Sequence, residues 1–150
     1  MEIEDIIIHN EYRIKAEDQD TMNDIALLKL KSRVDLSKYT PACLPESNRT
    51  FDDRIAWVYG WGLYIDYQGP PSRKLRQIAV KVISDQECLQ PQHWPRDDLQ
   101  GTLCAVGFSY DVHICDGDSG GPLTVEEADG RHTLIGLVRS SPENCGGVKM

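Results

Sequence analysis

The chain has 150 residues, 24 acidic against 16 basic side chains, a formal net charge of −8 and 40% apolar residues. That length and apolar share suffice for the core of one ordinary domain. The acid excess argues against a basic face, so neither a nucleic acid nor an anionic membrane surface is expected as a partner.

Short apolar or alternating runs recur between turn residues and helical periodicity is scarce, which predicts an all-β fold. The start, Met1 to Asp5, is acidic, and Ile6-Ile7-Ile8 is too short for a signal-peptide core or a membrane span. Ile3 to His9 is expected as a first strand and Asp24 to Leu30 as a second. Ser37 to Asp53, with Pro41, Pro45 and Asn48, is expected to link two β units. Within it Asn48-Arg49-Thr50 is a glycosylation sequon in a polar loop, consistent with secretion. Ala56 to Gly62 predicts a third strand ending in a glycine-rich turn. Arg76 to Ile83 alternates, with Ile78, Val80 and Val82 on one face. Ser84-Asp85-Gln86-Glu87 supplies an N-cap and early acids, so one short helix is expected there. Gly121 to Val125 and Leu134 to Val138 complete the predicted strands. There is no internal repeat and no low-complexity tract.

The five cysteines are Cys43, Cys88, Cys104, Cys115 and Cys145. None forms a Cys-x-x-Cys pair, so no zinc site is expected, and nothing in the chain calls for a metal or an organic cofactor. Spread singly among strand-like segments, they read as disulfide partners in an oxidising compartment. The odd count leaves one over, either free or paired with another segment or chain. A disulfide-type chain without an export signal is expected to be a fragment or an incomplete gene product.

The strongest chemical signal is Cys115-Asp116-Gly117-Asp118-Ser119-Gly120-Gly121-Pro122-Leu123. A serine flanked by glycines sits next to an acid and near a half-cystine. The glycines let the backbone turn tightly and bring N–H groups toward a substrate carbonyl. Asp24-Ile25-Ala26-Leu27-Leu28-Lys29-Leu30, Ala42-Cys43-Leu44-Pro45 and Gly60-Trp61-Gly62 precede it in that order. The four together resemble the chymotrypsin/trypsin family of serine endopeptidases over nearly the whole chain. Each of the first three is weak by itself; all four in order are specific. Cys43 and the loops look most like extracellular, arthropod-type proteases with an N-terminal regulatory domain.

The resemblance implies a chymotrypsin-like double six-stranded β-barrel, incomplete at both ends. Residues 1–45 would be the remnant of the first barrel with the crossing segment. Residues 46–150 would be the second barrel without its last strand and closing helix. In this family a serine attacks, a histidine carries the proton and a buried aspartate orients the histidine, in the chain order His, Asp, Ser. By the resemblance Ser119 is the nucleophile, Asp24 the orienting acid, and the N–H groups of Gly117 and Ser119 the oxyanion hole. Asp118 matches the acid that pairs with a new N-terminal amine after activation. Taken singly, Asp24 reads as a turn acid opening a strand and Asp118 as a solvated turn acid. The family pattern further implies Cys88–Cys104 and Cys115–Cys145 bridges, with Cys43 tied to a propeptide or light chain. A bridge found in some members would join the positions of Ala56 and Val125; both halves are missing together, which agrees with the alignment.

Three departures stand out. None of His9, His93, His113 and His132 lies in the family's small-residue-His-Cys context. His9 falls at a strand end where the family often has a non-catalytic histidine, and the segment carrying the catalytic one is expected before Met1. His113 matches the base of the specificity pocket, where it is expected to plug the pocket rather than select a basic or aromatic side chain. Arg139-Ser140-Ser141 replaces the serine, aromatic and glycine that usually line that pocket. Arg139 is expected near Asp24 as an ion pair, against the alternative of an exposed strand arginine. The expected function is a secreted serine endopeptidase of protein or peptide substrates, in a form lacking its general base. The alternative is a non-catalytic protease homologue that acts by binding or regulation.

Overall fold

The computed structural model describes residues 1–14, 21–63, 70–90, 101–108 and 114–139. Two compact units divide the chain, Met1–Pro41 and Ala42–Met150.

In the first unit, β1 (Ile3–Ile8) pairs antiparallel with β4 (Ala26–Leu30), and the two-residue strands β2 (Arg13–Ile14) and β3 (Thr21–Met22) form a second small ladder. Strand β1 stops at Ile8 because the chain turns, with Tyr12 N–H donating to the His9 carbonyl at 2.9 Å. Strand β4 starts at Ala26 rather than Asp24. Asn23 takes φ +52°, and Ile25 N–H closes a tight turn on the Asn23 carbonyl at 2.8 Å. Ile6 faces Leu28 and Ile8 faces Ala26, while Ile7 faces Leu27 on the opposite side of the ribbon. Both faces are therefore apolar, and Ile6, Ile7, Leu27 and Leu28 are each half or more exposed.

In the second unit, β5 (Ile55–Gly60), β6 (Arg76–Ile83), β7 (Cys104–Gly107), β8 (Pro122–Glu126) and β9 (His132–Leu137) make one antiparallel sheet in the order β7-β6-β5-β8-β9. The predicted alternation of β6 is realised: Val80 and Val82 are buried and Ile78 packs against them. They join Phe51, Ala56, Val58, Ala105, Ile114, Leu123 and Val125 in the core. Ala56 and Val125 are both fully buried in it. Among the described residues neither unit closes its sheet into a barrel.

The single described helix, α1 (Asp85–Cys88), begins as expected, with Ser84 Oγ accepting from the Glu87 N–H at 3.2 Å. Its last residue, Cys88, is buried and disulfide-bonded to Cys104 at the start of β7.

Residues 42–45 go with the second unit because Cys43 lies along β9. Its N–H donates to the His132 carbonyl, and its carbonyl accepts from Leu134 N–H, each at 2.8 Å. The Cys43 thiol is free and half-buried. Beyond the end of β8, Glu127 accepts from both arms of Arg49, at 2.8 and 2.9 Å, and from Thr133 Oγ1 at 2.8 Å. The paired guanidinium, and then the hydroxyl, hold the Glu127 carboxyl down from 4.5 to about 2. A depressed carboxylate contributes stability that is present above its unfolded pKa and lost as pH falls through the folded one. Acid titration of the melting temperature between pH 4.5 and about 2 is expected to fall less steeply in Glu127→Gln than in the native chain. Parallel curves would mean that the clamp does not hold in solution.

Candidate functional site

The serine segment is built by two glycine turns. Gly117 has φ +93° and Gly120 φ +80°, conformations that a side chain rarely permits. Asp118 N–H donates to the Cys115 carbonyl at 3.0 Å, and Gly121 N–H to the Asp118 carbonyl at 2.9 Å. Gly120 N–H then reaches the Val138 carbonyl at 2.7 Å, and Val138 N–H the Gly121 carbonyl at 2.8 Å. The loop is thus tied to the chain leaving β9. Ser119 stands exposed at its tip. Among the described residues, no hydrogen bond is donated by the backbone N–H of Gly117 or of Ser119.

Asp118 points the other way. Its Oδ1 accepts from Gly62 N–H at 2.8 Å and its Oδ2 from Cys115 N–H at 3.1 Å. Both carboxylate oxygens are therefore held by backbone donors, and the solvated-turn reading of Asp118 does not describe this geometry. The seat is shaped by glycines. A Cβ on Gly62 would fall 2.6 Å from Asp118 Cγ, and one on Gly60 would overlap the same carboxylate. A Cβ on Gly117 would come 3.1 Å from Gly62 Cα. The Gly60-Trp61-Gly62 turn is fixed in turn by Leu63 N–H on the Asp116 carbonyl at 3.0 Å and Ser72 N–H on the Trp61 carbonyl at 2.9 Å.

Gly121 closes the interlock: a Cβ there would sit 2.8 Å from the backbone oxygens of both Asp118 and Tyr59. Neither oxygen has a flexible side chain to yield. Gly121→Ala is therefore expected to cost about 1–3 kcal/mol, read by urea denaturation. Gly136→Ala is the control, since its Cβ would meet only the Leu123 side chain at 3.6 Å. Equal losses in the two variants would remove the interlock.

Asp24 lies in the first unit, exposed, with its Oδ2 accepting from Thr21 Oγ1 at 3.2 Å. Ser119 and Arg139 belong to the second unit. Arg139 is half-buried and follows Val138, the residue that holds Gly120. Cys115 is buried and disulfide-bonded. His113, Ser140, Ser141 and Cys145 lie outside the described residues. Among the described residues, no group of three or more His, Cys, Asp or Glu is placed to hold a metal ion. The sequence reading missed the positioning role of Gly60, Gly62, Gly121 and Val138. Its available signal was a pair of glycines flanking Trp61 at a strand end, where close backbone approach is the usual reason for glycine.

The sequence profile of the Trypsin family matches residues 1–150. The chain belongs to the trypsin family. It is 38% identical over 143 residues to Transmembrane protease serine 11A of Homo sapiens, covering 93% of this chain and 32% of that protein. It is 35% identical over 138 residues to Serine protease filzig of Drosophila melanogaster, covering 89% of this chain and 8% of that protein. Transmembrane protease serine 11G of Rattus norvegicus is 32% identical over 146 residues, with 96% and 34% covered. The chain thus spans about a third of the length of the two mammalian relatives and far less of the insect one. As the family requires, the fold is all-β with almost no helix, its sheets those of a trypsin-like barrel left open. Among the described residues no helix is long and apolar enough to cross a membrane.

Proposed function

We propose that this chain carries the nucleophile of an extracellular serine endopeptidase that cleaves protein or peptide substrates. The observation that carries the reading is the Ser119 loop. An exposed serine lies beside two backbone N–H groups that donate to no described acceptor, while Asp118 is latched behind them. In this reading Ser119 Oγ attacks the scissile carbonyl, and the N–H groups of Gly117 and Ser119 receive the developing oxyanion. Each such donor contributes about 3–4 kcal/mol of transition-state stabilisation in a working site. Asp24 orients the general-base histidine, which none of the four histidines of this chain supplies. Asp118 holds the loop, and a new N-terminus released by activation competes for its carboxylate. His113, Arg139, Ser140 and Ser141 line the specificity pocket. Cys115 bonds Cys145 beside that pocket, and Cys43 pairs with a propeptide or light chain. The disulfide-bonded cysteines support work outside the cell. Two of the relatives are named as transmembrane proteases.

The test is made on the protein read from the full transcript. With a small-residue-His-Cys segment upstream, its activated form is expected to label stoichiometrically with a fluorophosphonate, and Ser119→Ala is expected to abolish the label. Labelling unaffected by Ser119→Ala, or a transcript without such a segment, overturns the catalytic reading in favour of a binding homologue.

A further inference from the structure

We propose that Asn48 is an N-linked glycan acceptor whose sugar stands at the β8–β9 hairpin end of the sheet, away from the Ser119 loop. Of the four asparagines, only Asn48 has a hydroxyl residue two positions on, with Arg49 rather than proline between. Asn10, Asn23 and Asn144 lack it. Asn48 is exposed, takes φ +65°, and sits in a turn closed by Arg49 N–H on the Glu46 carbonyl at 3.2 Å. Asparagine tolerates that left-handed conformation better than most residues, which alone explains the backbone. It does not explain the side chain, whose amide makes no hydrogen bond among the described residues, nor the exposed Thr50.

Arg49 anchors the turn. It is held bidentately by Glu127 and lies 4.8 Å from the Phe51 ring centroid. The turn is therefore fixed where β8 ends, with the amide of Asn48 out in solvent. The Ser119 loop enters β8 at Pro122, the other end of a five-residue strand. At about 3.3 Å per residue the two ends are roughly 15 Å apart. A sugar at Asn48 stands beside the hairpin that carries Cys43 and leaves the serine side of the sheet open.

The chemistry is a group transfer without redox change. The Asn48 amide nitrogen forms a bond to the anomeric carbon of an oligosaccharide carried on a lipid diphosphate. The anomeric C–O bond to phosphate breaks, the lipid diphosphate leaves, and the amide gives up one proton to base. Because transfer occurs on the nascent chain, the folded structure need only leave room for the sugar, and an exposed turn does so.

The inference rests on the extracellular reading only for entry into the secretory lumen, and a heterologous leader separates the two. Expressed behind such a leader in a glycosylating eukaryotic cell, the full 150-residue chain is expected to shift by one glycan on peptide N-glycosidase digestion. Peptide mapping is then expected to find aspartate at position 48. Asn48→Gln and Thr50→Ala are each expected to lose the shift and Thr50→Ser to keep it. A lumenal chain with no shift, or a shift that survives both Asn48→Gln and Thr50→Ala, overturns the proposal. Chain retained in the lumen unfolded reads equally well, since transfer precedes folding. If the native gene product stays outside the lumen while the leader fusion is modified, the localisation fails and the acceptor stands.

Discussion

Expressed as these 150 residues alone, the chain is expected to give no stoichiometric burst with an acylating active-site titrant. The serine loop is formed, so the reason is chemical rather than conformational. Ser119 Oγ needs a base within hydrogen-bond reach to lose its proton on attack. Of the four histidines, His9 follows β1 in the first unit and His132 bonds Thr124 Oγ1 through Nδ1 at 3.2 Å within the sheet. His93 and His113 stand in no family context for a general base. A triad missing its histidine loses about six orders of magnitude in kcat. What remains, about 10³–10⁴-fold over water, comes from the oxyanion donors and binding. A full-amplitude burst that disappears in Ser119→Ala would overturn this. The paired experiment on the full-transcript product separates a site without its base from one that never catalysed.

The second large effect is expected from the paired substitution Cys88→Ser and Cys104→Ser. The bridge spans a sequence separation of 16 and joins the end of α1 to the start of β7. A loop of that size confers about 3 kcal/mol. Both sulfurs are buried with Ile83, so the loss includes packing as well as chain constraint. Denaturant unfolding monitored through Trp57 of β5 measures it. A change below about 0.5 kcal/mol would show that the sheet holds its β7 edge without the bridge. Non-reducing peptide mapping of the same native sample is expected to leave Cys43 unpaired within the chain.

What the sequence disclosed follows the strength of each local pattern. Strand β6 was legible to the residue because Ile78, Val80 and Val82 recur at every second position and their face is buried. Ser84 and its following acids marked α1 because capping is a local event. Strand β9 begins two residues before the expected Leu134, at polar His132, because its ladder partner Glu126 and the Cys43 bridge set the start. Strand β7, four residues of Cys-Ala-Val-Gly, went unread, since its pairing with β6 lies outside its own sequence. The same holds for β2 and β3, too short for any period. At the site, the motif announced Ser119 and its glycine turns. The seat of Asp118 was not legible, because Gly62 and Asp118 meet only across the fold.

That last contact has a kinetic consequence. Gly62 and Asp118 are 56 positions apart, and the docking of β8 on β5 closes the same stretch of chain. The β5–β6 hairpin and α1 rest on nearer neighbours and pay less closure entropy. Contacts of high sequence separation form slowly, so the latch belongs to the late stages of folding. An Asp118 substitution should therefore speed unfolding far more than it slows refolding. On this order of events, the sheet of the second unit condenses around β5 and β6 first, and the serine is presented only once the rest is in place.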